Sequence, residues 1–225
     1  MVVETIGGTM TVELARSEGD KAQTFWRREG GRIARTLDTP QCVRLHGNDI
    51  RGIDVRHMHN RFGWQAGGNA LCGGALYRTE DFMAMPDAAR CGTKAAGQTI
   101  HVEHTVPVAT LTRRIRDSER SHAEDTVLWI LTHSVVTGVT DGPTGERHRM
   151  VRRGQARQSY ALTADHADHD LPFRRYDPTG HSPIWDVVRG ERIDPERFTF
   201  ADHRANIATA LRWAQLTDWA ARVAA

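Results

Sequence analysis

An acid and an imidazole stand side by side at Glu103-His104, and Thr105-Val106-Pro107 follows them. A carboxylate is a hard ligand for a divalent cation, and a neutral imidazole is a general base with a pKa near working pH. Hydrolysis of a phosphodiester calls for those two groups. The preceding run Gln98-Thr99-Ile100-His101-Val102 alternates in polarity and predicts a strand. Adjacent strand residues point to opposite faces. Where a strand ends the pleat breaks down, and both side chains can then turn toward one metal-bound phosphate.

The segment from Val102 to Val108 resembles the first signature of HNH nucleases, the ββα-metal or His-Me finger family. In that family an acid, a His, an apolar pair and a Pro close the first strand. The resemblance is confined to this one segment. It implies that His104 activates the attacking water and that Glu103 helps to hold one Mg²⁺ or Mn²⁺ ion. The ion would stabilise the charge on the phosphorane and on the leaving oxygen.

The family pattern continues with a second strand and then an Asn or His that opens a helix. Here the residues after Pro107, Val108 to Asp117, read as a helix, and no Asn lies between Asn69 and Asn206. A second metal ligand would have to come from His122, Asp125, His133, Glu146 or His148. Glu146, with His148 beside it, is preferred. Asp141-Gly142-Pro143-Thr144-Gly145 is a strong turn signal, and Glu146 is expected to open a helix running to Arg153. An acid that merely caps a helix would look the same.

The charge balance is close to neutral, at +2 over 225 residues, so the chain is not a polycation. Lys21 and Lys94 are the only lysines; every other basic residue is arginine, which suits bidentate contact with phosphates and guanine edges. A GC-rich genome produces the same bias. Local clusters say more: Arg113, Arg114 and Arg116 follow the motif, Arg147, Arg149, Arg152, Arg153 and Arg157 form a second group, and Arg174-Arg175 a third. Arg113, Arg114, Arg152 and Arg153 are the expected contacts to double-stranded DNA. A solvated helix face would carry the same charges.

Cys42, Cys72 and Cys91 do not make a disulfide framework, and no Cys-x-x-Cys pair exists. A structural zinc would need Cys72, Cys91 and His57 or His59; free buried thiols are the expectation instead. Asp165-His166-Ala167-Asp168-His169-Asp170 resembles a metal-ligand tract but holds almost no apolar residue, and reads as an exposed loop. The glycine-rich stretch Arg61 to Asn69 carries Phe62 and Trp64, which read as core residues over base-stacking ones. No Walker or Rossmann glycine pattern occurs.

These residues need a scaffold. The expectation is an α+β fold, one domain over 1–225, with a ββα-metal-like core at 98–153 embedded in helices. Residues 9–16 read as a strand or entry segment, and 19–36 as a helix interrupted at Gly30-Gly31. Short strands are expected within 41–58, a buried helix over 122–136, and a last helix over about 203–223 capped by Asp202. Its apolar stripe is Ile207, Ala210, Leu211, Ala214 and Trp219, with Arg204, Arg212 and Arg222 outside. No run of eighteen apolar residues exists, and Met1 to Ile6 lacks a secretory leader, so a cytoplasmic protein is expected. The functional expectation is a metal-dependent DNA endonuclease of restriction, phage or mobile-element type. A homodimer would place two active sites across a duplex. The alternatives are a non-catalytic DNA-binding or phage-associated protein and a metal-independent DNA glycosylase.

Overall fold

Helix α1 (Glu4–Asp38) buries a stripe at Ala15, Glu18, Ala22, Phe25, Trp26, Ile33 and Leu37, the spacing of one helical face. The computed structural model describes residues 4–38, 72–117, 123–151 and 164–225. The expected strands within 41–58, the 61–69 loop, Cys42, His57, His59, His122, Arg152, Arg153 and Arg157 lie outside them. Two expectations are corrected by α1. Residues 9–16 belong to this helix, and Gly30-Gly31 does not interrupt it. Each helical glycine costs about 1 kcal/mol against alanine, but the buried stripe on either side outweighs that. Gly30 is also required by contact, since a Cβ there would stand 2.5 Å from the Ala214 carbonyl oxygen.

The described residues form a mixed α+β structure with one five-stranded sheet in the order β2-β3-β1-β4-β5. The strands are β1 (Tyr77–Thr79), β2 (Ile100–His104), β3 (Val136–Thr140), β4 (Ile184–Asp186) and β5 (Glu191–Arg192). Only the β1–β3 pair is parallel; the other neighbours are antiparallel. Helix α2 (Glu80–Ala84) follows β1 directly, its first turn capped by the Thr79 hydroxyl, which accepts from the Phe82 N–H. Helix α3 (Val108–Arg116) starts behind Pro107 as expected and buries Val108, Leu111 and Ile115. Helix α4 (Ala123–His133) is the expected buried helix, with Val127, Ile130 and Leu131 inside.

The expected C-terminal helix is two helices, α5 (Phe200–Trp213) and α6 (Thr217–Ala224). Thr199 is the N-cap of α5 and Asp202 is its reciprocal partner in a capping box, three residues further on. The expected stripe is buried as read. The break falls at Gln215, which sits in the left-handed region at φ 63°. The Leu216 N–H donates to the Leu211 carbonyl and the Gln215 N–H to that of Arg212, a Schellman stop with glutamine where glycine is usual. Gln215→Gly is therefore expected to stabilise the chain by about 0.5–1 kcal/mol. A higher urea midpoint with an unchanged m-value would establish it; an unchanged or lower midpoint would refute it.

Among the described residues no helix is long and apolar enough to cross a membrane.

Candidate functional site

The register of β2 on β3 decides where the motif points. Glu103 lies opposite Thr137 and His104 opposite Val136, and the ladder continues past the strand as the Thr105 N–H donates to the Val135 carbonyl. The pleat is thus intact through the Glu-His pair, and the two side chains leave opposite faces. His104 shares its face with Ile100 and Val102, and Glu103 shares the other with His101 and Thr105.

Glu103 stands against a turn of 3₁₀ helix, Pro172–Arg175. The buried Arg175 guanidinium is 3.7 Å from the carboxylate, and its other nitrogen donates to the His104 and Thr105 carbonyls at 2.8 and 2.7 Å. Two charge-assisted bonds to consecutive carbonyls hold the main chain of the motif in place. The Tyr176 hydroxyl closes the cluster on the Thr105 hydroxyl at 2.8 Å. Burial pushes the Glu103 carboxyl above the usual carboxylate range, with Arg175 and then Arg147 opposing it. Burial likewise raises the Tyr176 phenol, helped by the Glu103 charge. The sequence offers Arg175 only as half of a basic pair. No local signal says that its charge turns inward onto a strand seventy residues away.

Glu146 opens a short 3₁₀ turn, Glu146–His148, where an α-helix to Arg153 is expected. The turn ends at His148, and Val151 then bridges Tyr176. The Glu146 carboxylate is fully buried and accepts five hydrogen bonds. They come from the Thr79 hydroxyl at 2.5 Å, the Thr140 N–H and hydroxyl, and the Ser182 N–H and hydroxyl. Each of the three hydroxyls also accepts from a backbone N–H, of Phe82, Glu146 and Asp81 respectively. Their protons are therefore directed to Glu146.

Glu146 touches Thr140, which pairs with Ile100, whereas His104 lies at the other end of the same ladder. Four residues of strand separate the two places, roughly 13 Å. His148 belongs to the Glu146 end as well. It is exposed and 3.6 Å from Asp141, whose other oxygen takes the Arg147 guanidinium at 2.8 Å. His101 lies among these groups. Burial and the charges of Arg147 and His148 push its imidazole down to about 4.

Glu103, Glu146 and His148 therefore do not converge. Among the described residues no group of three or more His, Cys, Asp and Glu side chains is placed to hold a metal ion. A cation at Glu146 would have to displace donors it already has.

Of the basic clusters, α3, which starts four residues after His104, carries Arg113 and Arg116 exposed and Arg114 half-buried. Arg174 is committed to Asp168 and Glu196. The Cys72 thiol is buried, donates to the His101 carbonyl at 3.3 Å, and is pushed up to about 12 by burial. Cys91 is half-buried and free. His166 and His169 lie on the exposed turn expected for their tract.

No family model, curated protein or solved structure matches this chain.

Proposed function

We propose that the chain is an endonuclease that hydrolyses DNA phosphodiester bonds, with His104 as the base that takes a proton from the attacking water. The observation that carries this reading is where the Glu-His-x-x-Pro segment falls. His104 is the last residue of the first strand of an antiparallel pair, and Pro107 caps the helix behind it. The second strand, β3, and the 3₁₀ turn at Glu146 come later in the chain, with α3 and α4 between the two strands. Arg113 and Arg116, exposed on the helix that follows the motif, supply cationic groups for the substrate backbone.

In this reading Glu103 acts on the site through Arg175. The carboxylate orients the guanidinium, and the guanidinium fixes the His104 and Thr105 carbonyls. A base must be held within hydrogen-bond reach of its water, and a pinned main chain reduces the freedom of the imidazole to that of its own rotamers. The divalent ion that the resemblance implies would need donors beyond Glu103, Glu146 and His148 as they stand, and no step is assigned to it.

A second reading has an observation in its favour. Glu103 and Glu146 are both engaged in internal structure, as they would be in a DNA-binding protein without catalysis.

The experiment is cleavage of plasmid, phage and base-modified DNA with Mg²⁺, Mn²⁺ or EDTA, wild type beside His104→Ala. The expected result is cation-dependent cutting that falls by at least about a hundredfold in the variant. Cutting retained by His104→Ala would sink the assignment. DNA shifted on a gel without any cutting would establish the binding protein, and abasic sites made in EDTA would establish the glycosylase.

A further inference from the structure

Tyr176 has two sides. Its hydroxyl bonds Thr105 beside the motif, and its ring forms a wall of a cavity of about 200 Å³. The other apolar walls include the buried Phe173, Ile184 and Ile193. Two polar groups line the cavity with capacity to spare. His181 stands edge-to-face on the Tyr176 ring at 5.7 Å. Its Nδ1 is 2.6 Å from the Ser182 carbonyl oxygen. A carbonyl only accepts, so Nδ1 carries the proton, and in the neutral ring Nε2 is left as an acceptor with no partner among the described residues. Arg192, on the exposed edge strand β5, has no carboxylate partner among the described residues. Its neighbour in the lining, Arg174, differs in being neutralised by Asp168 and Glu196.

We infer that this cavity takes a single nucleobase, with the phosphate of its nucleotide on Arg192. An apolar slot with a few placed polar groups is the common form of a small-ligand site. The aromatic and aliphatic walls suit a planar ring, and the His181 acceptor suits a ring or exocyclic N–H. A guanidinium at the mouth binds phosphate bidentately. The choice of a nucleotide over another planar anion rests on the DNA-directed reading of the neighbouring motif, from which a single tyrosine ring separates the cavity. The base can come from a free nucleotide or from an unstacked residue of a strand.

The test is calorimetric titration in EDTA, where cutting plays no part. The ligands are deoxyadenosine monophosphate, deoxyadenosine, a short single-stranded oligonucleotide and its duplex. Wild type is compared with Arg192→Glu, Arg192→Gln and His181→Phe. Binding of the monophosphate or of the strand is expected, weakened about tenfold in both Arg192 variants, the worth of one charge-assisted contact. Deoxyadenosine should be insensitive to Arg192 and weakened by His181→Phe. Unchanged melting temperatures for the Arg192 variants would show that the fold is intact. Tighter binding of the strand identifies an unstacked residue as the ligand, and tighter binding of the monophosphate a free nucleotide. Absence of binding by every single-stranded and mononucleotide probe, or equal binding by wild type and the Arg192 variants, overturns the inference. Because cleavage is not measured, a catalytically inert protein that passes this test retires the nuclease reading and leaves the nucleobase site standing.

Discussion

Glu146→Ala is expected to remove about 4 kcal/mol of folding stability. The carboxylate joins β1, the end of β3 and the Ser182 loop through five donors. Each buried donor left without an acceptor costs about 1–3 kcal/mol, and the vacated volume adds a cavity. The losses are smaller than their sum because Ser182 and Thr140 lie partly within reach of water. Glu146→Gln is expected to lose less, since one oxygen still accepts while the new amide nitrogen faces groups that only donate. Urea unfolding in the absence of added metal is the measurement. A loss below about 1 kcal/mol would contradict a structural hub. It would also favour a ligand role, because a metal ligand removed from metal-free protein changes affinity for the ion and leaves the fold largely alone.

Mild acid is expected to weaken the fold through His203. This imidazole is buried on α5, with Nε2 3.0 Å from the Leu131 carbonyl oxygen and Nδ1 2.8 Å from the Tyr77 hydroxyl. The carbonyl requires a proton on Nε2, so Nδ1 accepts from tyrosine and the ring is neutral. The Tyr77 oxygen in turn accepts from Asn206, which also donates to Asp186. A second proton on His203 would displace the proton that the Tyr77 hydroxyl donates to Nδ1. Burial lowers the imidazole from 6.5 to about 3, with nearby His133 opposing the charge further. The folded value lies below the unfolded one, so the unfolded chain takes up the proton first. The stability is whole above pH 6.5 and is lost as pH falls from there toward 3. At pH 5 the loss from this one group is about 2 kcal/mol. His101, lowered to about 4, adds in the same direction. Glu18, held down to about 2 against its burial by Arg78, Arg90 and Lys21, adds a further loss only between pH 4.5 and 2. Urea midpoints at pH 7 and pH 5 check the first window. His203→Gln keeps one donor and one acceptor. It should be less stable at pH 7 and lose less on going to pH 5. Equal losses in the two proteins would show that the acid response lies elsewhere.

Periodic segments were legible in the sequence and their ends less so. The helices over α3 and α4 and the apolar face of the last helices follow from side-chain spacing, which is local information. The split at Gln215 is not legible, because glutamine carries no left-handed preference and the stop is made by backbone bonds. Residues 9–16 and Gly30-Gly31 include β-branched residues and glycines that locally oppose a helix, and the packing of α1 against α5 and α2 overrides them. At the candidate site, the strand and the placement of Glu103-His104 near its end were legible. The continuation of the ladder to Val135 was not, and that continuation sends the two side chains apart. The turn signal before Glu146 suggested a helix start that would bring Glu146 and His148 to the motif. The two strands of an antiparallel pair run past one another, however, so residues following the second strand return to the start of the first. Arg175 was invisible as a positioning group because its contacts are entirely long-range.

Gly19 and Gly30 lie eleven residues apart on α1, and a Cβ on either would meet backbone, the Val187 carbonyl oxygen at 2.3 Å and that of Ala214 at 2.5 Å. Eleven residues are close to three whole turns, so both gaps open along one line of the helix. The apolar side chains of the stripe can be exchanged for others of similar bulk, but the count between these two positions is fixed. A single residue inserted or deleted between them would swing one notch by about 100° and drive a side chain into the chain beneath. The middle of α1 therefore works as a gauge whose length is set in whole turns, more tolerant of altered letters than of an altered number of them.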